Sequence, residues 1–335
     1  MVISIIIFLL NLFVLSSSFQ LNRRELILKP SYLIANQFIN KNKPIKTLII
    51  SCNKIGKSII SNNPQLDFTI ATTKIKRLDE LALLGAVELI PQMEICGDEI
   101  FKKLVRDNDV IIIADTISIF SVHTYQRTCE RIFNAFKDLK DFYGMKKKII
   151  LISSSSYYGC YMNGENVDET SSIKKMDFVN SNKNWKLNNY NTALVINNAE
   201  KKIVETNSFC ILRTGLICDF NDDIFSNNRK YPREIGESFI NLSNTREIAN
   251  AIKWIIDNDV NGIYNFNYEA IKKKEVFKKI HWVNDMELDN DFYYSIEDNP
   301  HLPNSQRFNL KMNNRKIINR GYKFKYSNKE VLSNF

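Results

Sequence analysis

Short apolar runs alternate with amphipathic stretches along the chain from Thr47 onward. Runs such as TLIIS, DVIIIAD and KKIILISSS are unbroken, which is typical of strands buried on both faces of a sheet. The stretches between them place apolar residues at helical spacing, as Leu78, Leu81 and Leu84 do. This alternation predicts an α/β protein with a Rossmann-type, doubly wound parallel sheet.

The alternation continues in the second half of the chain. FCILRTGLI and GIYNFNY predict strands, whereas NAEKKIVETN, TREIANAIKWIIDND and KKKEVFKKI predict helices. The polar stretch 221–234 predicts an exposed loop. We therefore predict one Rossmann domain over residues 46–335, whose later elements form a small C-terminal substrate region.

Two segments precede this domain. Residues 1–19 are apolar and uncharged and end in serines, which is typical of a signal peptide. A membrane anchor is the alternative, because the run approaches the ~20 residues that span a bilayer. Residues 20–45 form a basic, transit-like leader, with a disordered linker after a plain signal peptide as the alternative. The mature form is predicted to have no stable membrane span.

A signal followed by a transit segment resembles the leader of proteins that reach a complex, apicoplast-like plastid through the secretory route. A secretory compartment or N-terminal anchoring in a membrane is the alternative location. The stretch 20–46 carries a net +5 of the chain's +9, which leaves only +4 for the remainder. Composition therefore does not predict a nucleic-acid partner.

The chain has six cysteines and three histidines, without a C-x-x-C pair or a Cys–His spacing typical of zinc. Several cysteines lie in apolar runs, where a free thiol packs as a small apolar side chain. We predict neither a metal site nor a disulfide framework.

The loop after the first predicted strand, SCNKIG, takes the place of G-x-G-x-x-G but keeps only its last glycine. Ser51 and Asn53 replace the glycines that make the tight turn and admit the pyrophosphate. Asn tolerates left-handed backbone, but its side chain would occupy space that phosphate oxygens use. Candidate cofactor contacts here are Ser51, Asn53, Ile55 and Gly56; a plain strand–turn–helix is the alternative.

The end of the second predicted strand carries Thr73 and Lys74 rather than the acid that holds the ribose of NAD. Cations suit a 2′-phosphate, so NADP is favoured over NAD, although a solvated basic helix start is the alternative. Asp115, at the end of the fourth predicted strand, is a further candidate cofactor contact.

The fifth predicted strand ends in SSSSYYG, at the edge where ligands bind in such folds. KIILISSSSYYG followed by GENVDET resembles the SST-x-x-YG signature of extended and atypical short-chain dehydrogenase/reductases, the NAD-dependent epimerase/dehydratase-like proteins. Four later stretches resemble that family's motifs in order, so the resemblance covers residues 46–335. They are CILRTGLI, INLSNTREIANAIKWII, GIYNFNYEAIKKKEVFKKI and NRGYKFKYSNKEVLSNF. The SCNKIG loop matches the GCG-x-x-G spacing of the nucleoside-diphosphate-sugar epimerase-like subgroup.

The resemblance implies that Ser154 is an active-site hydroxyl and that Ser153 contacts the cofactor beside it. The family's general acid/base is a Tyr with a Lys four residues on. Tyr190 is the candidate here, but Leu194 stands in place of the Lys. Tyr158 is a second candidate proton donor.

Two functions follow from this combination. One is NAD(P) binding with oxidoreductase or epimerase-like activity on an unknown small molecule. The other is a degenerate, non-catalytic scaffold, sensor or RNA-contacting plastid protein. By analogy with the family, a homodimer would form through the predicted helices 124–143 and 189–205.

Overall fold

The computed structural model describes the chain from Pro44 to Ser333 with gaps. The described residues are 44–51, 53–72, 83–84, 88–91, 97–115, 122–143, 147–161, 164–175, 184–219, 239–272, 275–276 and 309–333. The signal-peptide and leader predictions for residues 1–45 lie almost wholly outside them, as does the predicted loop 221–234.

Seven strands form one parallel sheet, and the other strands pair off in small sheets. The seven are β1 (Lys46–Ile50), β2 (Asp67–Thr72), β3 (Glu88–Pro91), β4 (Val110–Ile113), β5 (Lys148–Ser154), β7 (Phe209–Thr214) and β11 (Gly262–Phe266). Their order is β11-β7-β5-β4-β1-β2-β3. The chain runs outward from β1 in both directions, so the switch point lies between β1 and β4.

The remaining short strands lie in the C-terminal half, with one exception. They are β6 (Glu165–Val167), β8 (Leu216–Cys218), β9 (Phe239–Ile240), β10 (Leu242–Asn244), β12 (Ile271–Lys272) and β13 (Leu310–Met312). Strand β6 pairs with β13, β8 with β10, and β9 with β12. These pairs build the small C-terminal region that the pattern predicts.

Seven α-helices are described. They are α1 (Lys54–Asn62), α2 (Asp98–Asp107), α3 (Val122–Tyr143), α4 (Asn184–Val204), α5 (Thr245–Asp257), α6 (Arg315–Asn319) and α7 (Asn328–Ser333). The helix predicted in KRLDELALLG and most of the one predicted in KKKEVFKKI lie outside the described residues. No helix of the described ranges is long and apolar enough to span a bilayer.

Helices cover both faces of the sheet. Ile49 points into a core shared with Ile59 of α1 and Ile252 of α5, whereas its neighbours Leu48 and Ile50 point into the core beneath α2, α3 and α4. Successive side chains of a strand point to opposite faces, so an unbroken apolar run is what a sheet covered on both sides requires. The predicted doubly wound α/β fold is confirmed.

One predicted strand is divided in two. FCILRTGLI forms β7 and β8, which part at Gly215. A Cβ atom at Gly215 would lie 2.1 Å from the carbonyl oxygen of Asn241, so only glycine permits this close approach. The chain thereby leaves the main sheet and enters the C-terminal region.

Candidate functional site

The loop after β1 keeps the backbone shape of a glycine turn without its first glycine. Ser51 has a φ of +65°, in the left-handed region. Such a conformation costs a non-glycine residue about 1–2 kcal/mol. Its N–H donates to the carbonyl of Ala71 at 2.9 Å, and its hydroxyl donates to Asp115 Oδ1 at 3.1 Å. The side chains of Ser51 and Asp115 are both partly exposed, and the hydrogen bond between them joins the ends of β1 and β4.

Asn53 holds the N-terminus of α1. Its Oδ1 accepts from the N–H groups of Ile55 at 2.9 Å and Gly56 at 3.4 Å, and its Nδ2 donates to the carbonyl of Ala114 at 2.8 Å. The Asn53 backbone is extended, with a φ of −96°, so the left-handed residue is Ser51 and not Asn53. The Ile55 side chain is fully buried, so only its backbone faces the loop.

This cap places a side-chain oxygen on the donors that phosphates use. Free N–H groups at a helix N-terminus, together with the helix dipole, form a ready anion site. In this chain the N–H groups of Ile55 and Gly56 already hold one acceptor oxygen, that of Asn53. The donors of a phosphate site are therefore present and bound internally. The predicted contacts Thr73 and Lys74 lie outside the described residues.

The serines that end β5 have separate roles. Ser153 is 2% exposed and donates to Glu200 Oε1 at 2.6 Å. Its side chain therefore belongs to a buried network within the protein, and the cofactor contact at Ser153 stays a prediction. Ser154 is half-buried, and its hydroxyl accepts from the N–H of Ser156 at 3.1 Å, which starts a 3₁₀ turn over Ser155–Tyr158. Of the two predicted hydroxyls, Ser154 is the more accessible.

Beneath this edge lies a buried ion pair. Arg213, at the end of β7, donates from Nη2 to Glu200 Oε2 at 2.8 Å, and both side chains are 3% exposed or less. The guanidinium also stacks on the ring of Tyr157, 3.3 Å from its centroid. Because Glu200 bonds both Arg213 and Ser153, it ties α4 to β7 and β5.

Tyr158 is fully buried. Its hydroxyl donates to Asn265 Oδ1 at 2.5 Å and accepts from Arg213 Nη1 at 3.4 Å. Burial raises the pKa of Tyr158 well above its ordinary value, although the neighbouring Arg213 opposes this shift. The phenol is thus enclosed and bonded within the protein, where it links β11 to β7. Its predicted role as a catalytic proton donor stays a prediction.

Tyr190 lies in α4, where its side chain is half-buried. Leu194, one helical turn further on, is 36% exposed. A residue four positions after Tyr190 lies on the same face of the helix, so a lysine there could approach the phenol. The substitution removes the cation while leaving the position open to solvent.

Two acids that follow β6 hold the local backbone. Asp168 Oδ1 accepts from the N–H and the hydroxyl of Thr170, and these hydrogen bonds lower the pKa of Asp168. Glu169 Oε1 accepts from the N–H of Asn265 in β11 at 2.7 Å. Both acids hold the segment that follows the 3₁₀ turn.

Sequence analysis missed Glu247, a fully buried acid in the first turn of α5. Its carboxylate accepts from the hydroxyls of Tyr268 and Tyr322 and from the N–H groups of Lys325 and Tyr326. An acid three positions after the helix-capping Asn244 was the available signal. Glu247 thus anchors the C-terminal segment to α5.

The loop after β1 and the end of β5 lie close together. Strands β1 and β5 flank β4, and adjacent strands lie about 4.8 Å apart, so their carboxyl ends are about 10 Å apart. Asn53 and Ser51 face one side of that interval and Ser154 the other. Among the described residues no group of three or more His, Cys, Asp or Glu side chains could hold a metal ion.

Comparison with known proteins identifies the fold. No protein-family model and no curated protein sequence matches the chain. Among solved structures, vestitone reductase from alfalfa matches with a TM-score of 0.62 and 14% identity, over 86% of this chain and 96% of that one. The Bacillus anthracis dTDP-4-dehydrorhamnose reductase in complex with NADP matches with a TM-score of 0.61 and 14% identity, over 88% and 99%.

A third match is the Thermus thermophilus UDP-glucose 4-epimerase in complex with NAD. Its TM-score is 0.60 at 13% identity, over 86% of this chain and 97% of that one. The chain is thus similar to reductases and an epimerase along nearly their full lengths. It has the fold of the extended short-chain dehydrogenase/reductases, as the sequence motifs suggest.

Proposed function

We propose that this protein binds a nicotinamide dinucleotide in the crevice between β1 and β4. The observation that carries this proposal is the pair of N–H groups at the start of α1, which already converge on an acceptor oxygen at the switch point of the sheet. Dinucleotides bind at this point in doubly wound folds. Two structures of the same fold, the B. anthracis reductase and the T. thermophilus epimerase, hold NADP and NAD.

The described residues fit such a cofactor, provided that the Asn53 carboxamide turns away. The N–H groups of Ile55 and Gly56 would then hold a phosphate oxygen in place of Oδ1. Ser51 and Asp115 would border the same crevice. We favour NADP over NAD because Thr73 and Lys74 follow β2, a proposal that rests on the sequence alone. When bound, the nicotinamide would supply hydride exchange.

The chain's own groups would position a small-molecule substrate. The Ser154 hydroxyl is the accessible one at the end of β5, so it would orient a carbonyl or hydroxyl oxygen. Tyr190 on α4, or a water molecule, would exchange the proton with that substrate oxygen. The substrate would be an alcohol or carbonyl compound, and Ser154→Ala should then lower its turnover.

A non-catalytic scaffold or sensor is the second candidate. Leu194 favours it, because a tyrosine without a neighbouring lysine is a poor acid/base near neutral pH. Leu194→Lys distinguishes the two candidates. In an enzyme, restoring the cation should raise carbonyl-dependent NADPH oxidation at least about tenfold. A scaffold should show no NADPH oxidation in either form.

Thermal unfolding with NADP and with NAD tests the binding proposal. A ligand present at one hundred times its dissociation constant adds about 2.7 kcal/mol of stability, which is readily seen as a raised Tm. A Tm that neither dinucleotide raises would argue against a cofactor site. Adenosine monophosphate at the same concentration controls for effects of ionic strength.

We also propose delivery to a complex plastid, on the strength of the leader sequence. Residues 1–46 fused to a fluorescent protein should direct it to that organelle. Fluorescence in the medium or at the plasma membrane would contradict this location. A homodimer through α3 and α4 is a further proposal, by analogy with the family, and sedimentation would test it.

A further inference from the structure

A second cavity lies in the C-terminal region and has no part in the proposed nucleotide site. Its volume is about 590 Å³, within the range of about 300–1,000 Å³ typical of small-molecule sites. The chain that follows β11 forms one wall, and the segment leading into α7 forms the other. Strand β11 is four strands from β1 in the sheet, or about 19 Å.

Aromatic rings line this cavity and are held in fixed positions. Tyr268 and Phe324 have ring centroids 5.6 Å apart, and Tyr326 lines the cavity beside them. The Tyr268 hydroxyl donates to Glu247 at 3.4 Å and the side chain is 4% exposed, so Tyr268 packs behind the aromatic wall. The N–H of Tyr326 donates to the same carboxylate at 3.1 Å. Buried Glu247 therefore holds Tyr268 and Tyr326 in position in the ligand-free protein.

Carboxylates lie on the same cavity. Glu269 and Glu275 line it and are exposed, and Lys329 is the one cation among its described lining residues. The described lining residues thus carry two negative charges and one positive charge. Aromatic faces are also electron-rich, and they attract cations within about 6 Å of the ring centroid.

We propose that this cavity binds a small organic molecule that carries an ammonium group. The partly exposed rings of Phe324 and Tyr326, packed on Tyr268, receive the cation and its alkyl or aryl body, and Glu269 and Glu275 balance its charge. This site is separate from the nucleotide crevice, so its occupancy does not depend on the proposed cofactor.

Calorimetric titration of the full-length protein with choline tests this proposal. The neutral isostere 3,3-dimethylbutan-1-ol and the anionic 3,3-dimethylbutanoate serve as matched probes of shape without positive charge. We expect choline to bind at least tenfold more tightly than either probe, with and without NADP. No heat with choline, or equal or tighter binding of either other probe, would overturn the proposal.

Variants connect this binding to the cavity. Glu269→Gln combined with Glu275→Gln keeps the shape and removes both charges, so choline should bind at least about tenfold more weakly. Tyr326→Leu keeps the backbone bond to Glu247 and removes the ring, and the same loss is expected. Glu205→Gln changes an exposed acid just after α4 and outside the lining, so this control should bind choline like the unaltered protein. Unchanged affinity in both cavity variants would contradict the assignment.

Discussion

Replacing Asn53 with glycine should tighten the binding of NADP. The Asn53 carboxamide holds the two N–H groups that a phosphate would use, and it must leave them before a dinucleotide can bind. Glycine restores the residue that the fold's nucleotide-binding loop carries at this position. The substitution therefore removes the competing oxygen of Asn53 and leaves the N–H groups of Ile55 and Gly56 in place.

The size of this effect follows from the contacts. The bonds from Ile55 N–H at 2.9 Å and to Ala114 O at 2.8 Å are well formed, whereas the bond from Gly56 N–H at 3.4 Å is long. Two good hydrogen bonds of about 1 kcal/mol each give a competing free energy of about 2 kcal/mol. That energy corresponds to about 30-fold in affinity.

NADPH fluorescence gives the affinity directly, by titration of each variant. Asn244→Gly is the matched control, because Asn244 caps α5 with the same pair of contacts, 2.9 and 3.4 Å, away from the crevice. Asn53→Asp keeps an acceptor at the cap and adds negative charge, so it should weaken binding. If Asn53→Gly binds NADPH no more tightly than the unaltered protein, the proposed competition is refuted.

Two further substitutions test the buried acids. Glu200→Gln leaves the Arg213 guanidinium buried without its counter-charge and should lower the free energy of unfolding by about 3–5 kcal/mol in urea. Glu205→Gln, at an exposed acid just after the same helix, should change that free energy by less than about 1 kcal/mol. Similar values for the two variants would contradict the assignment. Glu247→Gln presents an amide group where Tyr322 and backbone N–H groups donate, so it should cost at least about 2 kcal/mol. Hydrogen exchange over 322–326 should rise in this variant, and unchanged exchange would show that another contact holds the segment.

The sheet could be predicted from the sequence because its signal is local. Ile111, Ile112 and Ile113 form an unbroken run because both faces of β4 are covered, and burial on two faces dictates the composition of a strand. Gly215 is different, because its requirement comes from Asn241 across the fold. The pattern therefore predicts one strand where the structure has two.

The site was harder to predict because its partners are distant in the chain. Tyr158 and Asn265 are 107 residues apart, and Glu247 and Tyr322 are 75 apart. A hydroxyl-rich stretch predicts that its side chains make hydrogen bonds. It does not show whether those bonds go to a ligand or to other residues of the protein. All three of Ser153, Ser154 and Tyr158 have internal partners, and of these residues Ser154 is the one that is not fully buried.

The loop after β1 shows which of two properties of asparagine prevails. Asn tolerates a positive φ, and this property applies to Asn53 in the sequence. A second property of Asn prevails in the structure, its preference for capping a helix N-terminus. Ser51 takes the strained position, with hydrogen bonds to Ala71 and Asp115 to hold it.

Backbone NMR of the Ile55 and Gly56 amides during an NADP titration tests the central claim most directly. If a phosphate replaces the Asn53 oxygen, both amide resonances should shift in a saturable way, and their hydrogen exchange should slow. Amides of the Asn244 cap should not respond. Saturating NADP that leaves the Ile55 and Gly56 resonances in place would contradict nucleotide binding in this crevice.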